Sequence, residues 1–185
     1  QADGESIETA ARAARYEFLR DVAARANAPT VAVAHHFDDN VETVLHRIVR
    51  GTHLRGLAGM IAKRPLLGTD IQLIRPMLDI RRADIEAFAG RHALTWREDH
   101  TNADPRYTRN ALRHEVLPLL ADRFNPRIGD AIDRLARAAS QAETFLAAAG
   151  RALLDQSRRD DGALNIAPLR DAEPLLRQYA LRDAL

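Results

Sequence analysis

Cysteine is missing from the 185 residues of this chain, and so are long apolar runs. Without cysteine the chain can form no disulfide, thiolate metal site or thiol nucleophile, which fits a reducing compartment. Arginines interrupt every apolar stretch before it reaches the roughly 18 residues that a membrane span needs. The N-terminal sequence also lacks the basic start and apolar block of a secretion signal. We therefore expect a soluble, cytoplasmic protein with no membrane partner.

Lysine is scarce as well, because Lys63 is the only lysine among 27 basic residues. The positive charge is therefore carried by arginine, whose planar guanidinium group binds phosphate through paired N–H donors. Abundant arginine and alanine are equally typical of a GC-rich genome. With 26 acidic residues and a net charge of +1, composition alone does not establish RNA binding.

Apolar spacing in the first hundred residues predicts alternating helices and strands. Spacings of three and four predict helices, and short apolar runs predict buried strands of a parallel sheet. The predicted elements are a helix at 6–26, a strand at Val31–Ala34, a helix at Asp38–Val49, a strand at Ile71–Ile74, a helix at Arg81–Arg91 and a short strand at Leu94–Arg97. The fold class is therefore α/β in this part of the chain.

The later residues have helical spacing only, at 109–122, 127–159 and 168–185. We therefore predict two units, an α/β domain at residues 1–105 and a helical domain at residues 106–185. Two or three short strands are too few for a complete doubly wound sheet. The sequence thus predicts a partial sheet whose N-terminal portion lies outside this chain.

The densest group of polar residues is His-His-Phe-Asp-Asp-Asn-Val-Glu-Thr, at the point where a strand passes into a helix. Ligands of open α/β sheets bind at this carboxyl end of the strands. Asp38 is expected to cap the helix. Asp39 and Glu42 are three residues apart, so their carboxylates share one helix face. Such a pair suits an ammonium group, a metal ion or acid–base chemistry, and the spacing does not choose among them.

The neighbouring histidines allow similar alternatives. His35 and His36 point to opposite sides if the strand continues, so at most one of them faces the site. His46 lies four residues after Glu42, a spacing that suits either an ion pair or a pair of metal ligands. We favour the ion pair.

A second polar group follows at residues 97–113 and contains regularly spaced arginines. Arg106, Arg109 and Arg113 would share one side of a helix, which suits an extended anion such as a polyphosphate or an RNA backbone. A solvated helix start held by Asp99 and Asp104 explains the same residues equally well.

Four strings, in order, resemble the tRNA(Ile)-lysidine synthetase family of the PP-loop ATP pyrophosphatase superfamily. The strings are SIETAARAARYEFL, AHHFDDNVETVLHRIVRGTHLRGLAGM, LIRPMLDIRRADI and WREDHTNADPRYTRNALRHEVLPLL. The segment FNPRIGDAIDRLARAA also resembles the helical part that follows the catalytic domain in that family. The resemblance implies that residues 1–105 are a partial Rossmann-like, adenine-nucleotide-hydrolase-like domain.

The resemblance also implies a reaction. ATP would adenylate the C2 carbonyl oxygen of the wobble cytidine in isoleucine tRNA with a CAU anticodon. The side-chain amine of free lysine would then displace AMP to give lysidine, which pairs with A instead of G. The implied substrates are ATP, with Mg²⁺, together with free lysine and the tRNA; a homodimer is left open.

The resemblance assigns roles residue by residue. Asp39 and Glu42 would hold the ammonium groups of lysine, and Asp39 would also act in catalysis with His35 at the reacting centre. The remaining positions, which would meet ATP, the adenylate or tRNA phosphates, are Arg15, Arg50, Arg109 and Arg113, with Arg109 also catalytic. No protein metal ligand is implied.

The sequence departs from this family in one respect, since it contains no Ser-Gly-Gly-x-Asp-Ser loop of the kind that holds pyrophosphate. The family's C-terminal domains are not evident either, so we expect a piece of a longer enzyme that binds ATP weakly. Two alternatives remain: a metal-dependent hydrolase with His35, Asp39, Glu42 and His46 as ligands, and a non-catalytic tRNA-binding module. A tRNA thiolase that carries sulfur on cysteine is disfavoured by the absence of cysteine.

Overall fold

The computed structural model describes residues 2–97 and 108–182 and shows a small mixed sheet surrounded by helices. The strands are β1 (Thr30–Ala32), β2 (Lys63–Pro65) and β3 (Gln72–Ile74). The helices are α1 (Ala2–Arg25), α2 (Phe37–Val49), α3 (Leu54–Leu57), α4 (Arg82–Arg91), α5 (Thr108–Ala111), α6 (Leu117–Arg123), α7 (Ile128–Ser157), α8 (Ile166–Asp171) and α9 (Pro174–Arg182). A π-helical segment, Leu112–Val116, joins α5 to α6.

The sheet has the order β1-β3-β2. β1 and β3 are parallel, with Val31 opposite Leu73, and this confirms the two strands predicted from apolar runs. Their pairing continues past the strand ends, because the Val33 N–H donates to the Ile74 carbonyl oxygen at 3.0 Å. The carboxyl ends of both strands therefore lie at the same edge of the sheet.

Two details of the predicted sheet are wrong. β2 pairs antiparallel with β3, so the sheet is mixed and not purely parallel. Its sequence, Lys-Arg-Pro, contains no apolar run that would mark a strand. Leu94–Arg97 forms no strand either. Leu94 and Trp96 are 53% and 59% exposed, so no apolar burial stabilises an extended pairing there.

One hydrophobic core lies between α1 and the sheet. It is formed by Tyr16 of α1 with Leu66 and Leu73, both of which are fully buried. Tyr16 is the largest of the three, and its hydroxyl group reaches the carboxyl edge of the sheet. This core therefore fixes α1 beside the strand ends.

A second core joins the α/β part to the helical part. Phe37, Val41 and Val44 of α2 pack against Leu112 of the π-helical segment and Ile132 of α7. The apolar stripe of α2 is the one predicted from the sequence. Because the same helix carries Asp39 and Glu42 on its other side, this packing brings the helical residues after 108 to the polar site. Within the described ranges, no helix has the length and apolar character that crossing a bilayer requires.

The contact between α7 and α9 depends on a glycine. A Cβ atom at Gly150 would lie 2.6 Å from the Tyr179 Cβ atom and 2.9 Å from its carbonyl carbon. Because the second neighbour is backbone, α9 would have to move. We expect Gly150→Ala to lower the free energy of unfolding by about 1–3 kcal/mol, measured by urea denaturation.

The matched control is Gly90 of α4, where a Cβ atom would meet nothing within 4 Å. Gly90→Ala should raise stability by about 0.5–1 kcal/mol, because alanine is the better helix former. Equal effects of the two substitutions would show that the close approach of α7 and α9 does not determine the result.

Candidate functional site

The site begins where β1 passes into α2. His36 is the N-cap of α2: its Nδ1 atom accepts the Asp39 N–H at 3.3 Å, and the Asp39 Oδ2 atom accepts the His36 N–H at 3.0 Å. This reciprocal capping fixes the Asp39 side chain. The predicted cap, Asp38, does not cap α2; its Oδ2 atom accepts the Arg82 N–H at 2.8 Å, at the start of α4.

Glu42 and Asp39 are bound by two arginines of the helical part. Arg113 donates from Nε to Glu42 Oε1 at 2.5 Å and from Nη2 to Glu42 Oε2 at 3.0 Å. Arg109 donates from Nε to Glu42 Oε2 at 3.0 Å. Asp39 Oδ1 lies 3.2 Å from Arg113 Nη2 and 3.5 Å from Arg109 Nη2. We call these four residues the carboxylate–arginine cluster.

The cluster is largely removed from water. The Glu42 side chain is 2% exposed and that of Arg113 is 21% exposed, so a buried carboxylate is neutralised by charge-assisted hydrogen bonds. Burial lowers the pKa of Arg113, but the hydrogen bond and charge of Glu42, together with Asp39, outweigh it and raise this pKa. Arg113 is therefore held in its charged form.

The helix geometry explains why both arginines reach the same carboxylate. Arg109 lies in α5, and Arg113 lies one turn later in the π-helical segment. Residues four apart share a helix face, and a π-helical turn shifts the residues that follow it. The arginine spacing in the sequence predicts this common face, although Arg106, its first member, lies outside the described residues.

His35 lies in the segment between β1 and α2, close enough to the cluster to feel the charges of Asp39 and Arg109. Its Nδ1 atom is buried and has no hydrogen-bond partner in the described part of the chain. The pKa of His35 is lowered to about 4, chiefly by burial and further by the positive charges of Arg75, Arg12 and Arg109, with Asp39 opposing them. The imidazole is consequently neutral at neutral pH.

This pKa gives the fold a defined pH dependence. His35 takes up a proton near pH 6.5 in the unfolded chain but only near pH 4 in the folded chain. Protons therefore favour the unfolded state between these values, and stability falls as the pH falls through this window. Between pH 7 and pH 4.5, the free energy of unfolding should fall less in the His35→Asn variant than in the parent, as measured by urea denaturation. The control is His92→Gln, at an exposed position. Its free energy of unfolding should change with pH in the same way as that of the parent.

The remaining predicted residues lie elsewhere. Arg15 is exposed on α1, and Arg50 is exposed at the C-cap of α2. Their proposed phosphate contacts stay predictions. Among the described residues, no three histidine or acidic side chains are grouped so that they could hold a metal ion. Asp39 and Glu42 instead face guanidinium groups.

Several residues that hold the site together escaped the sequence interpretation. Arg47 donates to the Gly56 and Gly59 carbonyl oxygens at 2.9 and 2.8 Å, and Asn40 accepts the Met60 N–H at 2.7 Å. They fasten α3 and the loop that follows it to α2. Both residues lie in the string from Ala34 to Met60 that resembles the family. Their place in that string is the feature of the sequence that could have identified them.

Arg75 and Tyr16 were also missed. Arg75 directly follows β3 and is only 5% exposed, and its Nη2 atom donates to the Tyr16 hydroxyl oxygen at 3.4 Å. The feature of the sequence that could have identified Arg75 is a charged residue at the end of a buried strand. A buried guanidinium group needs specific partners, so such a residue indicates a polar contact inside the fold.

A cavity of about 390 Å³ borders the carboxylate–arginine cluster. Phe37, Val41 and Leu117 provide apolar wall, whereas Glu42 and Arg113 provide charge. Asp38 and Arg81 also line it. The cavity thus offers apolar surface together with both signs of charge, which suits a short amphiphilic molecule.

The chain is similar in sequence to known proteins. The sequence profile described as the PP-loop domain matches residues 1–120. A tRNA(Ile)-lysidine synthase from Burkholderia mallei is 46% identical over 147 residues, which cover 79% of this chain and 30% of that protein. Proteins of the same name from Vibrio cholerae and Pseudomonas aeruginosa are 40% and 45% identical, over 98% and 78% of this chain.

These relatives are much longer than the chain, which spans about a third of their length: 30%, 40% and 31% of the three proteins, respectively. The profile match covers both β1 and β3, the whole of α2 and both arginines of the cluster. From this match and the identities above, the chain belongs to the PP-loop domain family.

Proposed function

We propose that this chain is the part of a tRNA(Ile)-lysidine synthase that brings free lysine to an ATP-activated wobble cytidine. The observation that carries the proposal is the carboxylate–arginine cluster at the carboxyl edge of the sheet. It occurs in a chain that is 40–46% identical to proteins named tRNA(Ile)-lysidine synthase. The substrates proposed are ATP, free lysine and the isoleucine tRNA with a CAU anticodon, and the proposed compartment is the cytoplasm.

The arginines suit the first step, in which the cytidine C2 carbonyl oxygen attacks the α-phosphate of ATP and pyrophosphate leaves. Negative charge develops on the phosphate oxygens during this attack. The Arg109 side chain is 35% exposed; its Nε atom donates to Glu42 and its Nη2 atom to the Asp39 carbonyl oxygen, which leaves the Nη1 group to donate to such an oxygen. Glu42 thereby positions a phosphate-binding group.

The carboxylates suit the second step, in which the neutral side-chain amine of lysine attacks C2, the C2–O bond breaks as AMP leaves, and the proton lost from the amine passes to solvent. A carboxylate has about four lone-pair positions, so Glu42 and Asp39 can accept an ammonium N–H besides their guanidinium donors. The neighbouring cavity would receive the aliphatic part of lysine against Phe37 and Val41. His35, neutral at neutral pH, is able to accept a hydrogen bond from the attacking amine.

The Mg²⁺ that the resemblance implies does not fit the carboxylates of the cluster. Asp39 and Glu42 already face Arg109 and Arg113, and the Glu42 side chain is only 2% exposed, so there is no room beside it for the waters that Mg²⁺ retains. We therefore assign no step to a metal ion held by these residues.

The proposal is tested with the gene product that contains this chain. Purified protein is incubated with ATP, labelled lysine and unmodified isoleucine tRNA, and lysine attached to the tRNA is measured. We expect one lysine per tRNA, dependent on ATP, and no label in a methionine tRNA whose anticodon is also CAU. Stoichiometric tRNA binding without lysine attachment would support the non-catalytic module instead.

A further inference from the structure

His36, the residue that caps α2, lies close to the two carboxylates that follow it. Its Nδ1 atom lies 3.7 Å from Asp38 Oδ2, and its Nε2 atom lies 3.5 Å from Asp39 Oδ2. Because Nδ1 accepts the Asp39 N–H at 3.3 Å, a neutral imidazole carries its own proton on Nε2, the nitrogen nearer to the Asp39 carboxylate. His36 therefore contacts Asp39 through its ring as well as through its main chain.

The main chain of His36 is itself fixed by the segment that follows β3. His36 forms a parallel bridge with Met77, and the N–H of the next residue, Phe37, donates to the Ile80 carbonyl oxygen at 2.9 Å. The His36 side chain is only 14% exposed, so its ring has little freedom to turn away. The cap of α2 is thus anchored to the chain that leaves the sheet.

The two carboxylates of the carboxylate–arginine cluster are held in different ways. Glu42 receives hydrogen bonds of 2.5 and 3.0 Å from Arg113 and one of 3.0 Å from Arg109. The Asp39 Oδ1 atom lies farther from these arginines, at 3.2 Å from Arg113 and 3.5 Å from Arg109. Its Oδ2 atom has a shorter contact, the 3.0 Å hydrogen bond from the His36 N–H. The arginines therefore fix Glu42, whereas the cap fixes Asp39.

Asp39 is also the carboxylate that a ligand reaches more easily. Its side chain is 16% exposed, whereas that of Glu42 is 2% exposed. An incoming ammonium group needs a lone pair at a defined position, and a misplacement of about 1 Å strongly weakens the contacts of an active site. The orientation of the Asp39 carboxylate therefore controls how well such a group is held.

We infer that His36 is a positioning residue of the proposed lysine site. Its ring accepts the main-chain N–H of Asp39, and the first turn of α2, fixed in this way, presents the Asp39 carboxylate to the ammonium group of lysine. Asp38 does not share this role, because its Oδ2 atom accepts the Arg82 N–H at 2.8 Å. The inference rests on the proposed function, since lysine is the ligand that Asp39 is proposed to hold.

The test compares His36→Ala and His36→Asn in the gene product that contains this chain, with lysine attachment measured at varied lysine and at varied ATP. His36→Ala should raise the KM for lysine about fivefold, because one orienting hydrogen bond is lost, and change the KM for ATP by less than about twofold. His36→Asn should bring the KM for lysine back to within about twofold of the parent, because the asparagine carbonyl oxygen is a good N-cap acceptor.

A double-variant cycle separates positioning from general stabilisation of the fold. In the Asp39→Asn background, His36→Ala should change the KM for lysine by less than about twofold, because the residue through which His36 acts is already altered. The matched control is His53→Ala. His53 is the N-cap of α3, but within the described ranges its side chain makes no cap hydrogen bond, so both KM values should stay as in the parent. Circular dichroism checks that each variant is folded.

Three results would overturn the inference. The first is an equal KM for lysine in the parent and in His36→Ala. The second is a KM for ATP that rises as much as the KM for lysine, which would indicate a general disturbance of the site. The third is an effect of His36→Ala that is equally large in the Asp39→Asn background or in His36→Asn. A parent that attaches no lysine would contradict the proposed function and this inference with it, whereas an active parent with any of these results contradicts the inference alone.

Discussion

Arg113→Met is expected to lower the free energy of unfolding by about 3 kcal/mol, because it leaves the buried Glu42 carboxylate without its principal partner. Glu42 is 2% exposed and receives two hydrogen bonds from Arg113, at 2.5 and 3.0 Å. Methionine preserves most of the side-chain volume, so the loss reports on charge more than on packing. Urea denaturation measured at pH 7 gives the difference directly.

Arg137→Met provides the matched control. Arg137 also contacts two carboxylates, those of Asp133 and Asp79, but its side chain is 58% exposed. Exposed ion pairs contribute about 0–1 kcal/mol, so this variant should differ little from the parent. The double variant Glu42→Gln, Arg113→Met should lose less stability than the sum of its two single variants. Additive losses would show that Glu42 and Arg113 do not stabilise each other.

Arg109→Ala is expected to slow lysine attachment about 100-fold or more while leaving the fold intact. Removing one donor to a developing oxyanion typically has an effect of about 10²–10³ on kcat. Arg109 is the more exposed arginine of the cluster, and Arg113 continues to neutralise Glu42 in its absence. Single-turnover assays that follow AMP release and lysine attachment separately would locate the affected step.

Arg134→Ala serves as the control, since it removes an exposed arginine of α7 and should leave both rates unchanged. A similar loss in both variants would mean that overall positive charge, through tRNA binding, explains the effect. An unchanged rate in Arg109→Ala would remove this residue from the proposed chemistry.

Local patterns predicted the elements that position the site. β1 and β3 are short apolar runs, and α2 has a regular apolar stripe that packs against the helical part. The three-residue spacing of Asp39 and Glu42 and the four-residue spacing of Arg109 and Arg113 likewise place each pair on one helix face. These features depend only on residues that are close together along the chain, so they can be predicted from the sequence.

Long-range pairing was not predictable in the same way. Arg109 and Arg113 meet Glu42 across 67 and 71 residues, and no local pattern encodes that distance. β2 depends on an edge supplied by β3 and has no apolar run of its own. Arg75 is buried because Tyr16 offers its hydroxyl group from a helix 59 residues away.

The central claim is that the carboxylate–arginine cluster is where free lysine meets the activated cytidine. It is tested most directly by the KM for lysine in the Asp39→Asn and Glu42→Gln variants, at saturating ATP and tRNA. We predict a KM for lysine that is raised about tenfold or more, with the KM for ATP little changed, because each substitution removes a charged acceptor of the ammonium group. An unchanged KM for lysine in both variants would contradict the account.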